Sequence, residues 1–400
     1  MGPLVQPWQP PYLQWVVKVS KQCNLRCRYC YEYPFLGDKT RMSFEQLGTM
    51  FHHIAKQFGG TDRRMDFVWH GGEPLLQDDG FYRSVAELEQ RYLTPAGVLF
   101  TNSVQTNLTI LNAGVIDLLR DFFANVGVSI DLFGDQRVNI AGHVVQNRVL
   151  RNMQRLRDAG ISFGCITVLS QVTAPHIRSI YEFFVDIDTS FRLLPIYRTG
   201  FAGQQDSLEL TQAEIVDAFR TVVDLWLASE STISVQPIQT YVAQVVRHLD
   251  GGVGVRRFYD KRAAEVVYIV DTDGGLFSNA DAYDPSFCQG NIFNQPIAEI
   301  LASEAYGRAV LAAKERIRAT CATCHFHGAC SGYIMGEATP EQRWRDKDGR
   351  LRCGVARPIQ DYIVERLAGA GLLDESGTRL IEARLQAGLA EAEGAALYVG

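Results

Sequence analysis

The sequence predicts an α/β protein built on a parallel sheet, either curved into a barrel or left open. Two observations carry that expectation. Six apolar, strand-like stretches alternate with six helical patterns over residues 13–229, and near residue 230 the alternation stops and a differently composed segment begins. Strand–helix units in succession give parallel strands, because each crossover helix returns the chain to the same end of the sheet.

The strand stretches are 13–20 (LQWVVKVS), 65–70, 98–105, 125–131, 161–169 and 190–196, each a short apolar run. Helices are expected over 43–58, 79–93, 112–123, 147–159, 174–185 and 211–229. Ser43 with Gln46, and Thr211 with Glu214, have the capping-box spacing at two of these starts. In the first helix Phe44, Leu47, Met50, Phe51 and Ile54 recur at helical spacing, which predicts one buried face. Further on, VVYIV (266–270) reads as a strand, DTDGG (271–275) as a turn, and the last thirty residues, rich in Ala, Leu, Glu and Arg, as a terminal helix. The organisation expected is a proline-bearing leader (1–12), a barrel unit (13–235), a smaller unit (236–368) and the terminal helix (369–400).

At 400 residues the chain exceeds the size at which one core keeps growing, in line with a large and a smaller unit. With 46% apolar and 21% charged residues the composition is that of an ordinary globular protein. A net charge of -6 provides no basic footprint for nucleic acid. No apolar run approaches the roughly 18 residues that span a bilayer, and the start MGPLVQPWQPPYLQ lacks the order of a signal peptide, so a cytoplasmic protein with no membrane partner is expected. In that reducing compartment the nine cysteines do not read as a disulfide framework. Two tight groups, Cys23/Cys27/Cys30 and Cys321/Cys324/Cys330, suggest metal instead.

The stretch KQCNLRCRYCY (21–31) puts three thiols on the loop after the first strand, at the carboxyl end of the sheet where active sites collect. Three thiolates can hold a four-iron, four-sulfur cluster and leave one iron free of protein ligands. Zinc is the alternative, but it wants a fourth ligand nearby, and His52 and His53 fall on a helix. Tyr29 is expected to pack over the cluster and exclude water.

CxxxCxxC with an aromatic residue before the last cysteine, followed one strand later by Gly71-Gly72-Glu73-Pro74, resembles the radical S-adenosylmethionine (radical SAM) superfamily. The resemblance covers roughly residues 14–365 and implies a partial (β/α)6 TIM-like barrel. It implies a 4Fe-4S cluster on Cys23, Cys27 and Cys30, and S-adenosylmethionine with its amino group at the GGEP segment. It also implies that Gln105 and Asn107, and Ser129 with Asp131, contact the ribose and the methionine carboxylate, and that Arg137 neutralises that carboxylate. Each of these also reads as a strand-end cap or, for Arg137, as a surface arginine. The implied chemistry is reductive cleavage to a 5′-deoxyadenosyl radical, with the electron supplied by an external low-potential donor.

Cys321-x2-Cys324-x5-Cys330, followed by Cys353, resembles part of the SPASM extension of radical enzymes that modify peptides, which implies a smaller C-terminal iron–sulfur domain. Ile334 stands where the full pattern has another cysteine, Asn279 or Ala280 stands at one upstream ligand position, and no cysteine lies between Cys165 and Cys288 for the other. All the missing positions belong to one auxiliary cluster. The expectation is therefore one auxiliary 4Fe-4S cluster, ligated by Cys321, Cys324, Cys330 and Cys353, with a four-thiolate zinc site as the alternative. His325 and His327 read as exposed spacers, Cys165 as buried packing, and Cys288 as a packed cysteine, a ligand or a reactive thiol.

Loss of one auxiliary cluster, the wording WHGGEPLL, and VGVSID followed by Arg137 resemble the cyclophane-forming maturases of ribosomal peptides. A precursor peptide substrate and a carbon–carbon crosslink are the expectation. Only 22 residues precede Cys23, so leader recognition falls to the main body or to a separate leader-binding protein. Asp281 is the candidate proton acceptor, with a solvated loop carboxylate as its plainer reading, and Tyr197 and Arg198 are candidates for the cavity wall. Alternatives are formylglycine formation in sulfatases, β-hydroxylation or epimerisation of a peptide residue, and a non-catalytic metal-binding scaffold.

Overall fold

Seven consecutive strands run parallel, each paired to the next: β2 (Tyr12–Ser20), β3 (Arg64–Gly71), β4 (Leu99–Thr106), β5 (Asn125–Ser129), β6 (Gly164–Leu169), β7 (Phe191–Pro195) and β8 (Val235–Gln236). The computed structural model describes residues 5–7, 12–196, 207–250, 256–263, 265–279 and 284–392. On the far side of β2, β10 (Val267–Val270) pairs parallel with it, and β11 (Gly275–Ser278) and β12 (Gly290–Asn291) add antiparallel, completing a ten-stranded sheet. A separate parallel pair joins β1 (Val5–Pro7) to β9 (Arg256–Phe258).

The strands are buried on both faces, as a parallel sheet with helical crossovers requires. In β2, Leu13, Trp15, Val17 and Val19 enter the main core with Leu47, Met50, Phe51 and Ile54 of α1 (Phe44–Phe58). Val16 points the other way, into a smaller cluster with Val68, Val267, Ile269 and Phe277. The remaining crossovers are α2 (Asp79–Tyr92), α3 (Ala113–Asp121), α4 (Gln146–Asp158), α5 (Ile177–Asp186) and α6 (Gln212–Ala228). This is the parallel α/β fold of a partial TIM-like barrel that the sequence leads one to expect. Both predicted capping boxes form, at Ser43/Gln46 and Thr211/Glu214.

One predicted core residue is not in the core. Phe44 is 41% exposed, because it is the first residue of its helix and stacks outward on Phe81 at 5.5 Å. The DTDGG turn forms between β10 and β11, with Gly274 at φ +88°. The C-terminal part contains α7 (Ile238–Leu249), α8 (Ile297–Ala302), α9 (Glu304–Cys321), α10 (Tyr333–Gly336), α11 (Ala356–Gly369) and α12 (Glu375–Ala392). It is tied back to the barrel: β10 joins the sheet at β2, and on α11 Tyr362 donates to Asp224 of α6 at 2.8 Å while Arg366 pairs with the same carboxylate at 2.7 Å. No helix among the described residues is long and apolar enough to cross a membrane.

Candidate active site and second cysteine centre

The first cysteine group lies on the loop leaving the carboxyl end of β2. Backbone bonds hold this loop in place: Cys23 N donates to Leu36 O (3.1 Å), Arg26 N to Val138 O (2.7 Å), Arg28 N to Gln136 O (2.9 Å) and Cys30 N to Cys27 O (3.1 Å). The GGEP segment packs directly under it. Gly72 N donates to Ser20 O (3.0 Å) and Glu73 N to Gln22 O (2.9 Å). A Cβ on Gly71, which has φ +114°, would stand 2.2 Å from Ser20 O, and one on Gly72 2.1 Å from Gln22 O. Only glycine permits that approach.

Cys23, Cys27 and Cys30 lie close enough to raise one another's pKa. Burial is the larger cause, and it pushes the thiols of Cys23 and Cys30 up to about 12. Cys27 is also raised by burial, against the pull of the Arg137 guanidinium, whose Nη1 lies 3.8 Å from its Sγ. Arg137 is therefore not a surface arginine: it is buried, donates from Nε to Ser129 O at 3.2 Å and lies 3.7 Å from Asp131. Burial alone would lower its pKa, but Tyr29, the cysteines and Asp131 outweigh burial and raise it. Tyr29 is half-buried beside this guanidinium and donates its hydroxyl to Asp131.

The other predicted contacts line the same end of the sheet. Buried Glu73 accepts from Asn107 N (2.7 Å), Thr106 Oγ1 (2.7 Å) and Leu75 N (3.0 Å). Burial raises its pKa, and those bonds oppose the shift. A carboxylate has about four acceptor sites, so one remains for an ammonium. Asn107 Nδ2 reaches Asn24 Oδ1 (2.9 Å) and approaches Cys23 Sγ (3.8 Å). Gln105 donates to Ser129 Oγ (2.7 Å), while its own buried Oε1 has no partner. Asp131 accepts from Val168 N (2.8 Å) and so also serves as the strand-end cap it resembles. Asp281, Tyr197 and Arg198 lie outside the described residues.

Three residues that the motif reading missed belong to this neighbourhood. Lys18 and His70 are partners in the β2–β3 register, and Lys18 forms a buried ion pair with Glu32, two residues after Cys30. Burial, then the Lys18 charge, lowers the His70 pKa to about 4, and its Nδ1 accepts from Gly71 N at 2.7 Å. The signal available in the sequence was a lysine, the one charged residue in the strand stretch LQWVVKVS.

The second group also converges. Cys321, Cys324, Cys330 and Cys353 line one cavity of about 90 Å³, although Cys353 arrives from a separate loop before α11. His325 is exposed and pairs with Asp361 at 3.2 Å, as a spacer should. His327 is not a spacer: it lines the cavity with its Nε2 buried and unpartnered. Cys165 is fully buried in β6, and Cys288 packs against the smaller core cluster with its thiol donating to Gly290 O at 3.2 Å.

The segments around Asn279 and Ile334 are joined by charge. Glu337, three residues beyond Ile334, accepts from Lys261 (2.9 Å) and Tyr259 (2.8 Å). Lys261 also pairs with Glu265 (2.9 Å), to which Ser278, beside Asn279, donates at 3.3 Å. All five residues are buried.

Residues 17–184 match the radical SAM superfamily. The chain therefore carries a radical SAM domain. It is 27% identical over 328 residues to the serine-type anaerobic sulfatase-maturating enzyme of Klebsiella aerogenes, covering 78% of this chain and 77% of that one. Its fold resembles native anSMEcpe with bound AdoMet and Cp18Cys peptide (TM-score 0.67, 18% identity, 90% of this chain and 99% of that one). It also resembles Streptococcus suis SuiB bound to precursor peptide SuiA (TM-score 0.57, 13% identity, 85% and 76%). The radical SAM domain makes the chain an enzyme that uses S-adenosylmethionine and a 4Fe-4S cluster, and along most of its length the chain is similar to anaerobic sulfatase-maturating enzymes.

Proposed function

We propose that this enzyme oxidises a side chain of a protein or peptide, and that its reaction is closer to sulfatase maturation, the conversion of serine or cysteine to formylglycine, than to crosslinking. The observation that carries this reading is the alignment of 78% of the chain with a serine-type sulfatase-maturating enzyme. In this reading Cys23, Cys27 and Cys30 hold the cluster whose electron cleaves S-adenosylmethionine to the radical that takes hydrogen from the substrate. Glu73 offers its remaining acceptor site to the cofactor's ammonium. Gln105, Asn107, Ser129 and Asp131 complete the bed, and Arg137 sets a permanent positive charge beside it for the carboxylate. Cys321, Cys324, Cys330 and Cys353 hold the single auxiliary cluster, a route out for the electron that oxidation of the substrate releases. Asp281 accepts the substrate proton.

A specific observation favours a second reading, the peptide crosslink: Ile334, and Asn279 or Ala280, stand where the resemblance implies ligands of a further auxiliary cluster. Anaerobically reconstituted protein, dithionite and S-adenosylmethionine would be incubated with a sulfatase peptide bearing the target serine or cysteine and, separately, with an aromatic-rich precursor peptide. An aldehyde captured by a hydrazide on the sulfatase peptide is the expected result. Loss of two hydrogens from the aromatic peptide, with no aldehyde on either, would replace this reading by the crosslinking one.

A further inference from the structure

The wall of the second cysteine centre carries two polar atoms that no group among the described residues satisfies. They are Nε2 of His327 and Oγ1 of Thr320, each buried without a hydrogen-bond partner, on residues that line the cavity of Cys321, Cys324, Cys330 and Cys353. Buried polar atoms are ordinarily paired, so an orphan points to a missing partner. Other polar side chains on the same wall are engaged: Arg352 pairs with Asp346 at 2.6 Å, and Gln360 donates to Gln244 at 2.5 Å.

The two orphans come from different elements. Thr320 is in the last turn of α9, directly before Cys321. A helical threonine commonly bonds the carbonyl one turn back, and this hydroxyl does not. His327 lies between Cys324 and Cys330, and its backbone is fixed on both sides: N donates to Cys324 O at 3.1 Å, and O receives Arg256 Nη2 at 2.8 Å. Phe258 of β9 meets the imidazole edge-on at 4.8 Å. A Cβ on Gly332, at φ +84°, would stand 3.6 Å from both His327 Nε2 and Cys321 Sγ. The imidazole nitrogen and the thiol therefore flank one small space, which the glycine leaves open.

We propose that His327, through Nε2–H, and Thr320, through its hydroxyl, donate hydrogen bonds to the sulfur of the auxiliary cluster and so raise its reduction potential. The proposal rests on the reading of the second centre as a 4Fe-4S cluster. Thiolates and bridging sulfides offer acceptors and no donors, which places the imidazole proton on the nitrogen that faces them. Four thiolates supply one ligand to each of four irons, so the imidazole is not needed as a ligand. Reduction adds negative charge to the sulfurs, and a donor in low-dielectric surroundings stabilises that state more than the oxidised one. In the proposed side-chain oxidation the substrate radical gives one electron to this centre and one proton to the base. No bond forms or breaks at His327 or Thr320, which act as positioning residues through their hydrogen bonds.

Anaerobically reconstituted wild type, His327→Phe, His327→Gln and Thr320→Val would be titrated potentiometrically and followed by electron paramagnetic resonance. S-adenosylmethionine alters the signal of the first centre and so distinguishes the two. In His327→Phe and in Thr320→Val the reduced state of the second centre should become about tenfold less favoured, a fall of about 59 mV for one electron. The potential of the first centre and the iron content should stay as in wild type, and His327→Gln, which keeps a donor, should restore part of the shift. A general loss of structure would not move one potential and leave the other. A second-centre potential equal to wild type in either variant overturns the proposal for that residue. Loss of iron from the second centre of His327→Phe overturns the donor role of His327, because the ring would then be a ligand or a support. Zinc in the second centre of wild type overturns the cluster reading together with the proposal. Shifted potentials in an enzyme that forms no aldehyde support the two donors and overturn only the proposed reaction.

Discussion

Gly72 lies against the backbone of Gln22 so closely that a methyl group on it would stand 2.1 Å from the Gln22 carbonyl oxygen. The glycine pair of GGEP is thus needed by the protein itself, because it lets β3 support the cysteine loop. Gly72→Ala must push that loop away. In anaerobically reconstituted protein, about eight irons should fall to about four, with cofactor cleavage lost and the second cysteine centre still loaded. Full iron content in this variant would mean that the loop shifts without losing its cluster.

The two cysteine groups sit on different elements, so their metals should load independently. Replacing Cys23, Cys27 and Cys30 with alanine should remove about four irons and all formation of 5′-deoxyadenosine. Replacing Cys321 and Cys324 should remove the other four or so and leave cofactor cleavage in place. Zinc in the metal analysis of the second centre would replace the cluster there by the alternative ligand set.

Lys261 is buried between Glu265 and Glu337, at 2.9 Å from each. Lys261→Met would leave two buried carboxylates without their cation, a change that costs roughly 3–5 kcal/mol. Urea midpoints should show that loss, with partial recovery when Glu265→Gln and Glu337→Gln are added. A midpoint equal to wild type for the single variant would show that the network does not hold α10 to β11.

Glu89 is buried with Oε2 accepting from Asn102 at 3.1 Å and Oε1 unpartnered, and burial raises its pKa to about 8. Between the unfolded carboxylate value of about 4.3 and about 8, the folded state binds more protons than the unfolded one. Stability from this residue therefore falls as pH rises through that window, by at most about 1.4 kcal/mol per pH unit. Glu89→Gln, neutral throughout, should flatten that decline and exceed wild type in stability above about pH 8. Parallel pH profiles for the two proteins would show that Glu89 is solvated in the folded state.

The two cysteine groups were legible because each set of three falls within ten residues, the short spacing that iron ligation would need. The six long strands and their helices were legible from periodicity, and the capping boxes from their spacing. Two-residue strands such as β8 and β12 carry no periodic signal. Phe44 has core spacing, but its place at a helix start leaves it exposed. The role of His327 was hidden because its neighbours in the cavity come partly from α11 and from the loop bearing Cys353.

By itself the sequence determined the class of chemistry: the cysteine spacing, the GGEP segment and the strand–helix alternation are local properties. Only the tertiary structure decided that Arg137 is buried beside Cys27, that Lys18 pairs with Glu32 under the loop, and that a Lys261 ion network joins the segments around Asn279 and Ile334. Those contacts join residues distant in the chain, and their energies depend on a burial that no local pattern encodes.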